Sequence, residues 1–409
     1  MHKLDLGTGA ELSNSPHVIA RDLSPVGFAA LENQRVGLSL VLNRVVVGWA
    51  GPGGRENAVI GVNGQSAPYY GYVMSFDADT LAQTGCFTTG SNGNVMAGIW
   101  QSGRAPVADT DGFVYYFTGN GAASLAQGVN QCSTPFAPAR SLSNSLVKLD
   151  VRDGLPLVVA AADPDTDLLD YCDLDLGGSG PMHVPGTPFL LGGGKQGLLH
   201  VISPDATGAL RFDAGTQVYP GPREDFDVPD PALKRNALCQ KQGDHHIMGG
   251  PVYWSSASFG SIVYLSAEDN RDPPMPASFI VRSFAFDTRT GILGTPLSGN
   301  TTYKPVHPAA ILSLSADGTR AGSGILWAVH SDRTMAMPGG NRYTEYVPGI
   351  LRAFDAEDLS HELWNSDDTP SDGFGNFAKF AAVTVANGHV YVPTFSGQVV
   401  VYGLLSAPH

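Results

Sequence analysis

The sequence predicts an all-β chain assembled from one repeated strand-turn-strand unit, on three observations. Lys3-Leu4-Asp5-Leu6, Ser75-Phe76-Asp77-Ala78, Lys148-Leu149-Asp150-Val151, Ala285-Phe286-Asp287-Thr288 and Ala353-Phe354-Asp355-Ala356 share one theme, an alternating apolar strand that runs into an Asp and a turn. The Asp positions are separated by 72, 73, 137 and 68 residues, so the long interval holds a copy without its Asp, and Leu198-Leu199-His200-Val201-Ile202-Ser203 fits the vacancy. Almost no helical periodicity separates the copies, whereas 50 glycines and 29 prolines punctuate the apolar strands as turns. Regular β units of this kind read as the blades of a β-propeller.

The elements follow in chain order. Residues 1–20 supply a third-type strand at Lys3 to Leu6 and a fourth-type strand near Ala10 to Ala20, with no inner strands before them. The innermost strands of the next five blades begin near Val36, Gly103, Gly178, Gly249 and Ala310, where glycine and small residues suit crowding toward an axis. The last unit, Ala381 to Gly403, holds three strands and stops. Pairing the N-terminal strand onto that blade would cover two open sheet edges. The expectation is therefore one domain over 1–409, a propeller of six four-stranded blades near 21–92, 93–163, 164–215, 240–300, 301–368 and 369–409, with seven or eight blades as the alternative. Insertions near 119–142, 204–243 and 331–347 are too polar and too rich in Pro and Gly for core strands, and read as loops over one face.

Charge narrows the partners. A formal net charge of −14 argues against nucleic acid, whose binding draws on Lys and Arg. No run of 18 apolar residues is present, and Met1-His2-Lys3-Leu4-Asp5 lacks the apolar core of a signal peptide. A monomer acting on a small molecule is expected. Cys86, Cys132, Cys172 and Cys239 are widely spaced and form no CxxC pair, so four buried thiols and one or two disulfides stand as equal readings.

Candidate chemistry gathers ahead of the inner strands. Asp244-His245-His246 precedes Gly249-Gly250, and two imidazoles with a carboxylate can ligate a divalent metal, calcium or zinc. Neighbouring side chains on extended chain point oppositely, so one of the two histidines faces the channel. His183 and His307, each beside another inner strand, are converging ligands. Glu268-Asp269-Asn270 follows the strand Ile262 to Ala267 with three oxygen-bearing side chains. Asp173 and Asp175 alternate onto one face and would direct a carboxylate pair inward, for a metal or as a base. Arg35, Gln101, Lys195 and Lys379 sit at blade entrances, where cations either clamp an anionic substrate or neutralise carboxylates. Trp100 is the candidate stacking residue, although tryptophan commonly wedges between blades. The bland alternative for every histidine is a loop cap bonded to backbone carbonyls. These assignments make His245, His246, Asp175 and Lys379 catalytic, Arg35, Trp100, Gln101 and Lys195 substrate-binding, and Asp244, His183, Glu268 and His307 metal-binding.

Gly98-Ile99-Trp100-Gln101-Ser102-Gly103, Gly192-Gly193-Gly194-Lys195-Gln196-Gly197, His245 through Trp254, Glu268-Asp269-Asn270 and Ala378 through Leu405 resemble bacterial proteins built from pyrroloquinoline-quinone (PQQ)-like propeller repeats. The resemblance covers nearly the whole chain. It implies an exported parent protein, periplasmic or extracellular, with about two further N-terminal blades. It does not carry the cofactor, because quinoprotein alcohol dehydrogenases pair adjacent cysteines near PQQ and no Cys-Cys pair occurs here. Three functional readings follow: a metal-assisted hydrolase of an ester, lactone or phosphoester; a PQQ-dependent sugar or alcohol oxidoreductase; and a non-catalytic binding scaffold. The richness of polar groups at the blade entrances favours the first.

Overall fold

A computed structural model describes residues 1–5, 7–19, 33–51, 69–89, 94–123, 142–217, 245–268, 280–299, 306–332 and 346–404. The chain is all-β, and its antiparallel sheets are the blades of a six-bladed β-propeller. It divides into two compact units, the first of Met1–Gln101, Ala105–Gly177 and Gly208–Leu210, the second of Ser102–Arg104, Gly178–Thr207 and Arg211–His409.

The first unit carries two blades. One is formed by Ser39–Val41, Arg44–Trp49, Tyr72–Asp77 and Gln83–Thr88, the other by Val107–Ala108, Phe113–Phe117, Ser145–Asp150 and Leu157–Ala162. Both faces of their middle strands are buried, so Tyr72–Asp77 is buried at every position before its Asp and the alternation expected of a one-sided sheet fades. Val46, Val73 and Phe87 of one blade pack with Val114, Val147 and Leu149 of the next, each buried side chain contributing about 1.5–3 kcal/mol.

The second unit carries four. Met182–His183, Leu190–Gly192, Leu198–Pro204 and Leu210–Phe212 form the third blade, with Thr216–Gln217 also paired to its third strand. Val252–Ser256, Gly260–Leu265, Arg282–Asp287 and Ile292–Gly299 form the fourth, and Ile311–Ser315, Ile325–Ser331, Gly349–Asp355 and Glu362–Asn365 the fifth. Thr384–Ala386, His389–Pro393 and Val399–Gly403 form the sixth. Tryptophan does act as a wedge here. Trp254 of the fourth blade packs with Ala310, Leu312 and Leu326 of the fifth, and Trp364 of the fifth meets Tyr402 of the sixth edge-on at 5.3 Å between centroids.

The recurring Asp has a local cause. Asp77, Asp150, Asp287 and Asp355 each end a third strand, and each accepts a hydrogen bond at Oδ1 from the backbone N–H two residues on, at 2.9–3.1 Å. These are Asx turns, which reverse the chain without a backbone partner. In the third blade, whose strand Leu198–Pro204 fills the predicted vacancy, Asp205 takes over the task and accepts from Thr207 N at 2.8 Å. The Asp is displaced by the proline, and the turn chemistry survives.

The expected closure by the N-terminal strand is not formed among the described residues. Leu4 bridges Glu11 within the N-terminal segment itself, Lys3 N donates to Ser15 Oγ, and Lys3 Nζ reaches the Asp79 carbonyl at 2.9 Å. Met1 and Ile19 pack on the cluster of Val47, Trp49, Met74 and Phe76 in the first blade. The segment thus satisfies its backbone in a hairpin and buries its apolar residues on the first blade. The sixth sheet correspondingly has three described strands, with Val399 and Val401 on its last strand exposed.

Candidate functional site

In the second unit, three side chains from three separate segments meet. His246 lies six residues before the inner strand of the fourth blade, Glu268 follows the second strand of that blade, and His307 precedes the inner strand of the fifth. One ligand atom from each falls within 4.8 Å of the others. His307 Nδ1 is 2.6 Å from Glu268 Oε1 and His246 Nδ1 is 3.6 Å from Glu268 Oε2, so the carboxylate lies between the two imidazoles. Glu268 is 1% exposed and His246 9%. A carboxylate so deeply buried needs a cation or strong donors to offset its lost hydration.

The backbone holds this arrangement in register. Glu268 N donates to the His246 carbonyl at 2.9 Å, and Ile247 N donates to the Gly194 carbonyl at 3.0 Å. Ser266 Oγ accepts from Ala310 N at 3.0 Å and donates to the Ile280 carbonyl, fastening the His307 segment to the strand that leads to Glu268. Phe380 meets the His307 ring edge-on at 5.7 Å between centroids.

The remaining predicted residues of this unit fall elsewhere. His245 is not among the three grouped ligands, and its Nδ1 is 3.2 Å from the Glu268 backbone carbonyl. His183 does not join the group, and its Nε2 is 2.8 Å from the Thr187 carbonyl within its own hairpin, the bland reading of a histidine. Lys379 is half-buried beside Phe380. Lys195 is half-buried, and a Cβ placed on Gly178 would lie 3.7 Å from its Cγ and 3.4 Å from Met248 Sδ. Asp244, Asp269 and Asn270 lie outside the described residues.

The first unit builds a different assembly. The Arg35 guanidinium lies 4.9 Å from the centroid of the Trp100 ring, and Tyr69 meets that ring edge-on at 6.1 Å. Burial lowers the Arg35 pKa, against the pull of the Asp175 charge. Asp175 Oδ1 accepts from Asn120 N at 2.8 Å, and Asp173 Oδ1 accepts from Asn120 Nδ2 at 2.8 Å. Asp170 accepts from Gly121 N, Ser143 Oγ and Asn144 Nδ2 at 2.8–2.9 Å, and burial holds its pKa above the ordinary carboxylate range. The strand expected to carry Asp173 and Asp175 is absent. A short helix, Thr166–Cys172, ends there with Asp173 as its left-handed cap at φ 57°, and the two carboxylates converge through that turn instead. Gln101 is fully buried, and its Oε1 accepts from Phe117 N rather than facing a substrate.

Cys86 and Cys172, both in this unit, are disulfide-bonded. No free cysteine occurs among the described residues, and Cys132 and Cys239 lie outside them.

Arg104, at the predicted entrance of the second blade between Gly103 and Ala105, is half-buried in the second unit, and desolvation pushes its pKa down to about 10.

No protein-family model matches the sequence, and no curated protein matches it. Solved structures do. The chain is similar to a quinohemoprotein alcohol dehydrogenase from Pseudomonas putida HK5 at 16% identity over 87% of this chain and 54% of that protein, with a TM-score of 0.44. It is similar to a europium-containing methanol dehydrogenase at 12% identity over 92% and 79%, TM-score 0.39. It is also similar to the periplasmic gluconolactonase of Pseudomonas aeruginosa at 14% identity over 81% and 85%, TM-score 0.32. The chain spans about half the length of the quinohemoprotein. No residue role is transferred from these proteins.

Proposed function

We propose that this chain is a metal-assisted hydrolase of ester, lactone or phosphoester substrates, with His246, Glu268 and His307 as the metal ligands. The observation that carries the reading is the convergence of those three ligand atoms within 4.8 Å around a buried carboxylate. Two imidazoles and one carboxylate suit zinc, which takes nitrogen ligands readily, better than calcium, which prefers six or more oxygens. A divalent metal there supplies Lewis acidity and lowers the pKa of water toward neutrality. In the overall reaction water adds across the ester or phosphoester bond, the acyl or phosphoryl group takes the hydroxyl, and the leaving alcohol takes the proton.

The chain's own residues do the positioning. The Glu268 carbonyl accepts from His245 Nδ1, and the Glu268 N–H binds the His246 carbonyl, so the ligand segments are tied on both sides of the carboxylate. The disulfide-bonded Cys86 and Cys172 support an oxidising compartment, periplasmic or extracellular.

Elemental analysis of the purified protein by mass spectrometry, before and after dialysis against chelator, tests the proposal. One zinc per chain is expected, together with hydrolysis of ester, lactone or phosphoester probes that disappears with the metal and returns on reloading. Hydrolysis that survives exhaustive chelation, or a chain that takes up no divalent ion, overturns it.

A further inference from the structure

A second feature of the same unit is backbone strain. Ser102 and Gly103 are consecutive residues at positive φ, 43° and 83°, and Phe380 stands at 63°. For a residue other than glycine or asparagine this region costs about 1–2 kcal/mol, and such strain persists only where the surroundings over-determine it, commonly at functional sites.

The strained stretches lie against the segments that carry the metal ligands. A Cβ on Gly103 would sit 1.8 Å from the Phe380 carbonyl oxygen, so only glycine permits the approach, and Phe380 in turn packs on His307. Ser102 Oγ donates to the Gly178 carbonyl and lies 3.9 Å from Met248 Sδ, two residues beyond His246. Arg104 crosses Gly250, where a Cβ would fall 2.8 Å from its Cδ and 3.2 Å from its Nε. Ser102, Gly103 and Arg104 therefore bridge the His246 and His307 sides of the centre, and glycines at 103 and 250 make room for that bridge.

What the bridge delivers is a guanidinium. The chain as a whole is acidic, yet Arg104 is half-buried in this unit, with its Cδ and Nε beside Gly250 in the segment that follows His246. Lys195 Cγ and Met248 Sδ both lie beside Gly178, 3.7 and 3.4 Å from where a Cβ on that glycine would stand. A guanidinium offers a planar fork of donors that fits two oxygens of a phosphate or carboxylate at once.

Resting on the reading of His246, Glu268 and His307 as a metal centre, we propose that Arg104 is the anion-binding residue of that centre and that its substrate carries an anionic group, phosphate or carboxylate. The zinc-loaded full chain, titrated calorimetrically with inorganic phosphate and separately with acetate, tests this in wild type, Arg104→Lys and Arg104→Met, with bound zinc counted in each. Wild type is expected to bind at least one anion, Arg104→Met to bind it at least 10-fold more weakly, and Arg104→Lys to fall between, all with the same zinc content. Preference for phosphate assigns a phosphoester, and preference for acetate a carboxylate-bearing ester or lactone. Equal affinity in Arg104→Met, or no anion binding by the zinc-loaded wild type, overturns the proposal and leaves the metal centre standing. A wild type that takes up no zinc overturns both. Should Arg104→Met fail to fold, Arg104→Lys decides, and an affinity equal to wild type counts against the proposal.

Discussion

The acidic network around Asn120 and the histidine group around Glu268 each bury one carboxylate, Asp175 and Glu268, yet they solve the problem differently. Asp170, Asp173 and Asp175 accept from backbone N–H groups, the Ser143 hydroxyl and the amides of Asn120 and Asn144, with the Arg35 charge acting on Asp175. Glu268 sits between two imidazoles, donors that can exchange a proton for a metal. The first arrangement resembles masonry and the second a site, because only the second brings together groups of the type that ligate transition metals.

The sharpest way to break this comparison is to remove a carboxylate from each. Glu268→Ala is expected to lower zinc affinity at least 100-fold, read by competition with a chromophoric chelator, whereas Asp175→Ala leaves zinc binding unchanged. Zinc loss in Asp175→Ala of the same size would erase the distinction. Asp175→Ala should instead cost about 1–3 kcal/mol in denaturant unfolding, since it strands the buried Asn120 N–H and the Arg35 charge.

The pH dependence of stability should separate buried networks of the two units by sign. In the fifth blade, Arg352 Nε donates to His330 Nε2 at 3.0 Å, and burial followed by the Arg352 charge lowers the His330 pKa to about 4. The unfolded histidine, near 6.5, binds the proton first, so this contribution is present above pH 6.5 and is lost as pH falls toward 4. Its full span is about 3 kcal/mol, to be checked as the difference in acid unfolding between wild type and His330→Gln. Asp170 runs the other way. Its folded pKa lies above the unfolded 3.8, so its contribution is present at acid pH and declines as pH rises through the window above 3.8. Asp170→Asn should flatten that decline, and an unchanged pH profile would show that the network is hydrated.

A smaller effect concerns the strained contact. Gly103→Ala is expected to destabilise the chain by about 2–3 kcal/mol, through a methyl group driven onto the Phe380 carbonyl at a φ alanine avoids. It should loosen the His307 ring and weaken zinc binding by a few-fold. Loss of stability with zinc affinity intact would detach Phe380 from the metal centre.

Much of this was legible in the chain. The repeat of apolar strand, Asp and turn predicted the blades, because Asx turns and doubly buried strands are local consequences of composition. Glu268, His246 and His307 were all recognisable, since ligand-type residues beside inner strands are visible in one dimension. Their grouping was not, nor was the exclusion of His183, which depends on a hairpin carbonyl at Thr187. The sequence also misplaced its own ends: the apolar residues Met1 and Ile19 found their burial on the first blade, a choice that local pattern cannot express. The cap at Asp173 and the role of Asp205 went unread although both are local: Asp173 N binds the Leu169 carbonyl four residues back, and Asp205 takes the Asx turn one residue after a proline that ends the strand.

By itself, then, the sequence determined the fold class, the acidic character and the residue types available for chemistry, since these follow from side-chain period and charge. Only the tertiary structure decided which carboxylate lies between imidazoles, which arginine packs beside a glycine, and which polar groups are already satisfied. Those are distances between segments 20 to 150 residues apart, set by blade packing rather than by any local preference.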